Sequence, residues 1–123
     1  MSIKAITIIK PKNKIYFCPW AKVQYLTKRF KSLNIISIGD KYSNIFKEVP
    51  CNKRLMIQTV IIPSDMTEDD FTAVREFVES LNGESILVHC EFGQSRSPWL
   101  VGYIIDNFPN YQFEEYMLGH FNY

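Results

Sequence analysis

Residues 86–98 read "ILVHCEFGQSRSP". An apolar, largely β-branched run ends at Cys90, a short loop with a single glycine follows, and Arg96 comes six places after the thiol. The run has the composition of a buried strand. The stretch after it, "SPWLVGYIIDNF" (97–108), is patterned as a helix, and Pro98 is accommodated in a first turn, where its missing amide donor costs little. Strand, tight loop and helix in that order form the repeating unit of a parallel α/β sheet.

The flanking sequence repeats the alternation. Upstream, "NGE" (82–84) marks a turn, and residues 67–81 read as a helix. Thr67 is its expected N-cap, with Asp70 completing a capping-box pattern. Glu68, Asp69 and Asp70 suit the positive end of the helix dipole, and Phe71, Val74, Phe77, Val78 and Leu81 supply the apolar face. "RLMIQTVII" (54–62) reads as a strand ended by "PSD", and "NIISIG" (34–39) as another. Between them, residues 40–53 are polar and irregular, anchored by Ile45 and Phe46. Trp20 to Leu33 has helical periodicity, with Trp20, Val23, Phe30 and Leu33 on one face. "IYF" (15–17) reads as a short strand, "PKNK" (11–14) as a turn and "IKAITII" (3–9) as a first strand. Downstream, Pro109 stops the helix, and "YQFEEYMLGHF" (111–121) is expected to form a short last one. The expected fold is α/β, a single compact domain over 1–123. It has a mostly parallel central sheet of about four to five strands with helices on both faces.

Composition narrows the function. The chain has 123 residues, 46% hydrophobic and 22% charged, which is globular and enough for one core. A formal net charge of +1 argues against general attraction to nucleic acid or an anionic membrane. The opening residues lack an apolar h-region, and no stretch reaches the length of a bilayer span, so neither a secretory signal nor a membrane anchor is expected. Three cysteines, Cys18, Cys51 and Cys90, suit a reducing cytoplasm better than a disulfide framework. His89 and His120 are too far apart in sequence for a recognisable zinc pattern, and no metal or other cofactor is expected.

The chemistry lies in the quoted stretch. Ligands of open α/β sheets bind outside the carboxyl ends of the strands, and a helix N-terminus there presents free amides and partial positive charge. The amides of Glu91, Phe92, Gly93, Gln94, Ser95 and Arg96 are expected to converge on a tetrahedral oxyanion such as phosphate. Gly93 supplies the backbone freedom that a tight loop needs. Cys90 lies at the base of this nest, in surroundings that favour the thiolate over the thiol. The planar guanidinium of Arg96 matches two phosphoryl oxygens, and Ser97 is positioned to donate a hydrogen bond to the sulfur. Thiolate attack on phosphorus would form a covalent intermediate. The departing alkoxide or phenoxide then needs a proton, and Asp65, between a strand and a helix, is the candidate donor.

At these residues the chain resembles the cysteine-based protein tyrosine phosphatases, whose signature is HCxxGxxR[ST], and among them the small dual-specificity enzymes. "VHCEFGQSRSPWLVGYII" is similar to their phosphate loop and following helix, and "IIPSD" to the segment carrying their general acid. The resemblance implies Cys90 as nucleophile, Arg96 as phosphate clamp, Ser97 as donor to the leaving sulfur and Asp65 as acid. His89 would order the loop and help set the acidity of the thiol. It also implies a monomeric, metal-independent enzyme acting on phosphorylated proteins or peptides, with a shallow pocket rimmed by Glu91, Phe92 and Gln94. The chain departs from the larger tyrosine-specific enzymes in lacking a Trp-Pro pair before Asp65, and its interval from Asp65 to Cys90 is short.

Other readings stand beside this one. Asp65 also suits a turn or cap, and Asp69 or Asp70 is then an alternative acid. An intact loop without an effective acid would make a phosphate-binding module that does not turn over. The same chemistry on RNA 5′-phosphates or phosphoinositides calls for a basic rim, where this loop offers Glu91.

Overall fold

A computed structural model describes residues 13–29, 33–39, 49, 51–57, 66–90 and 96–113, with the side chains of Arg29 and Arg96 outside the description. In chain order the elements are β1 (Lys14–Pro19), α1 (Trp20–Arg29), β2 (Asn34–Ile38), β3 (Lys53–Ile57), α2 (Glu68–Ser80), β4 (Ile86–Cys90), α3 (Arg96–Asn107) and β5 (Gln112–Phe113). The strands form one sheet in the order β3-β2-β4-β1-β5. Every neighbouring pair is parallel.

Side-chain alternation along the strands divides the interior into two layers. Ile15, Ile36, Ile38, Ile86, Val88 and Cys90 face one side, where Val74, Val78 and Leu81 from the α2 region and Leu100, Val101 and Ile104 of α3 cover them. Tyr16, Cys18, Ile35 and Leu87 face the other, beneath Val23 and Leu26 of α1, with Trp20, Val49 and Cys51 packed at the margin. Helices therefore cover both faces, as the sequence reading expects. Leu100 and Ile104 are fully enclosed, and burial of side chains this size contributes about 1.5–3 kcal/mol each.

The start of α2 follows from local chemistry. The Thr67 hydroxyl accepts from the Asp70 amide at 3.2 Å, while the Thr67 amide donates to Asp70 Oδ2 at 2.9 Å. This is the expected capping box. At its other end the chain turns through Asn82 and Gly83 with φ of 52° and 85°, and the Asn13 amide donates to the Gly83 carbonyl at 2.6 Å. That bond ties the entry of β1 to the entry of β4.

Several boundaries differ from the sequence reading. The strand expected at 15–17 extends over Lys14–Pro19, and α1 ends at Arg29, with Leu33 buried but not helical. At the start of the helix expected over 111–121, Gln112–Phe113 form β5 instead, and residues 114–121 lie outside the described residues. The Gln112 amide donates to the Asn13 carbonyl at 2.8 Å, and Phe113 stacks on Phe17 with ring centroids 5.2 Å apart. Pairing with a segment nearly 100 positions away in sequence overrides the local helical pattern there. The strand expected at 3–9, the anchors Ile45 and Phe46, and residues 58–62 lie outside the described residues.

Candidate functional site

The strand order creates a crevice between β1 and β4. After β1 the chain passes over one face, through α1, to reach β2 beyond β4. After β4 it passes over the other face, through α3, to reach β5 beyond β1. Two neighbouring strands whose helices leave over opposite faces form the type of switch point at which α/β sheets bind ligands. Pro19 and Cys90, the last residues of these strands, are in register across it.

Cys90 is buried at the carboxyl end of β4. Its Sγ lies 3.3 Å from Oγ of Ser97, the second residue of α3, which is fully buried. This contact brings the first turn of a 12-residue helix onto the thiol. The partial positive charge of that helix end therefore acts on the sulfur. The turn is held from the side as well. Phe71 of α2 packs against Trp99 and Tyr103 of α3 at centroid separations of 6.0 and 4.8 Å, and Arg75 donates to the Tyr103 hydroxyl at 2.8 Å.

On the opposite face of β4, His89 is fully enclosed. Its Nε2 is 2.6 Å from Oγ of Ser37, its register partner on β2, and Arg54 of β3 donates through Nε to the same oxygen at 2.9 Å. The Trp20 ring covers the imidazole at a centroid separation of 5.3 Å. Burial, reinforced by the Arg54 charge, pushes the pKa of His89 down to about 3. Interaction with the Cys90 main chain opposes this more weakly. Nδ1 is buried without a partner at full hydrogen-bond geometry. His89 is thus neutral throughout the physiological range.

Of the residues singled out from sequence, the structure brings together Cys90 and Ser97 and sets His89 directly behind them. Arg96 opens α3, but its side chain lies outside the description, as do Asp65 and the loop residues Glu91, Phe92, Gly93, Gln94 and Ser95. The chain leaves β3 at Ile57 and β4 at Cys90 from the same end of the sheet, because both strands run parallel to β2. β2 lies between β3 and β4 in the sheet. Asp70 is engaged in the capping box, which gives it a structural role.

Sequence reading missed Ser37, Arg54 and Trp20 as neighbours of the site. The available signal was Ser37 itself, a lone hydroxyl inside the otherwise apolar run 35–38, since a buried polar group needs a partner. Among the described residues no helix is long and apolar enough to cross a membrane, and no group of three His, Cys, Asp or Glu side chains is arranged to hold a metal ion. In comparison with known proteins, no protein-family model matches this chain and no curated protein matches it.

Proposed function

We propose that the protein hydrolyses phosphomonoesters in proteins or peptides, on tyrosine and also on serine and threonine, through a phosphocysteine intermediate on Cys90. The observation that carries this reading is the 3.3 Å contact between Cys90 Sγ and Ser97 Oγ at the α3 N-terminus, at the carboxyl end of the central strand. A thiol in that position meets the needs of a nucleophile. The positive helix end favours its anion, and a buried hydroxyl lies within reach to donate to that anion.

The chemistry proceeds in two displacements. In the first, the thiolate attacks phosphorus, a sulfur–phosphorus bond forms, the ester oxygen–phosphorus bond breaks, and Asp65 protonates the departing oxygen. In the second, Asp65 takes a proton from water, the resulting hydroxide displaces sulfur from phosphorus, and inorganic phosphate leaves. Ser97 donates to the sulfur as its negative charge returns. In this reading the amides from Glu91 to Arg96 and the Arg96 guanidinium would hold the equatorial oxygens, the role that donors play where charge builds in a transition state. A reducing cytoplasm suits this chemistry, because the three cysteines are free and turnover depends on a thiol.

The test is hydrolysis of p-nitrophenyl phosphate in the presence of chelator. The unmutated protein turns over, Cys90→Ser abolishes turnover and Arg96→Met severely weakens it. Activity retained in Cys90→Ser overturns the proposal. Phosphopeptide binding without turnover by the unmutated protein would replace it with a binding module.

A further inference from the structure

We propose that Ser37 and Arg54 are positioning residues for the Cys90 site, holding His89 in the tautomer that carries its proton on Nδ1 and presenting that N–H to the Cys90 main chain. The catalytic consequence rests on the phosphatase reading above; the tautomer does not.

The argument is one of donors and acceptors. Ser37 and His89 are register partners on adjacent parallel strands, so their side chains project from the same face of the sheet, and both are fully buried. Arg54 Nε can only donate, and its bond to Ser37 Oγ occupies one lone pair of that oxygen. Ser37 has one hydrogen left to donate, and Nε2 of His89 lies 2.6 Å away. If the ring donated instead, the serine hydrogen would be stranded, since Ser37 Oγ makes no other hydrogen bond among the described residues. An orphaned buried donor costs about 1–3 kcal/mol. With the hydroxyl donating to Nε2, Arg54 Nε, Ser37 Oγ and Nε2 are each paired, and the ring proton falls to Nδ1, whose remaining interaction is the weaker one with the Cys90 main chain.

The guanidinium charge strengthens this choice. It polarises the Ser37 hydroxyl towards donation and opposes a second proton on the ring. The Cys90 main chain raises the proton affinity of His89, the sign expected when a ring N–H points at a carbonyl oxygen. Nδ1 is the nitrogen left for that contact. The main chain involved is the last of β4, so a fixed ring fixes the backbone that carries Cys90.

Among the described residues, charged and titratable groups face the ring from three strands. Arg54 approaches from β3, Cys18 from β1 in register with His89, and Cys90 adjoins it on β4. Burial and the nearby Cys90 raise the Cys18 thiol to about 12, with Lys22 of α1 acting in the opposite sense. Cys18 therefore stays neutral at working pH, and among the described residues Arg54 is the charge that acts on the ring.

The deciding measurement is nitrogen NMR of the unmutated protein labelled with 15N-histidine. It should show His89 protonated at Nδ1 and bare at Nε2; a proton on Nε2 overturns the inference. Ser37→Ala should mix the tautomers. It should also move the pH midpoint for iodoacetate alkylation of Cys90, read by peptide mass mapping, up by about one unit, with kcat lowered about tenfold and KM little changed. Ser37→Thr, which keeps the hydroxyl, should restore both, and the half-buried variant Arg54→Met should shift both in the direction of Ser37→Ala. An unchanged tautomer and pH profile in Ser37→Ala and Arg54→Met, or no rescue by Ser37→Thr, refutes the relay. If the NMR and alkylation results hold but the unmutated protein hydrolyses no aryl phosphate, the relay stands and the phosphatase reading fails.

Discussion

Ser97→Ala isolates one half of the proposed reaction. The mutation removes a fully buried oxygen 3.3 Å from the sulfur and leaves the α3 backbone and its amides in place. The lost bond matters most when sulfur bears full negative charge, as it does when leaving phosphorus. A hydrogen bond to a charged partner contributes about 1.5–3 kcal/mol. At 1.36 kcal/mol per decade this slows dephosphorylation about ten- to a hundredfold. Attack by the thiolate should suffer less, because the anion that loses its donor also becomes the stronger nucleophile. The two steps then separate, and phosphocysteine accumulates. Stopped-flow measurement with p-nitrophenyl phosphate should show a burst of nitrophenolate near one equivalent per protein, followed by slow turnover. Turnover at the unmutated rate would refute the role given to Ser97, as would an equal loss in both steps without a burst.

Three further outcomes follow from the packing. His89 is depressed from 6.5 to about 3 by burial and then by Arg54, so an unfolded chain takes up a proton below 6.5 that the folded one refuses. Its contribution to stability is complete above 6.5 and is lost as pH falls towards 3, at about 1.4 kcal/mol per pH unit. Urea melts between pH 4.5 and 7 should show that slope reduced in His89→Gln, and identical slopes would contradict it. Gly83→Ala forces a Cβ onto a residue at φ +85° and to within 2.8 Å of Asn13 Oδ1, and should cost about 1–2 kcal/mol in the same melts. Thr67→Ala removes the α2 cap and should cost about 1 kcal/mol; no change in the urea midpoint would argue against the capping box.

The parts of the molecule legible in sequence are those governed by neighbours in the chain. The apolar run into Cys90 and the amphipathic helix after it are local patterns, and they gave β4 and α3. Thr67 and Asp70 are three residues apart and satisfy one another, so the start of α2 could be read directly. β5 could not, because Gln112 is held by the Asn13 carbonyl and Phe113 by Phe17, partners that no local window contains. The site divides in the same way. Cys90 and Ser97 belong to one short motif, whereas the partners of His89 come from β2 and β3, and only the strand order brings them to it.

The two-sided sheet has a consequence for oxidation. Cys18 and Cys51 belong to the α1 layer, while Cys90 faces the layer beneath α2 and α3. To reach Cys90, Cys18 would have to cross the hydrogen-bonded backbone, which means turning over a central strand and exposing its apolar side chains. A sulfenic acid formed at Cys90 by peroxide would therefore have no thiol on its own face with which to condense. Its reduction falls to thiols from solution, in competition with the irreversible step to sulfinic acid.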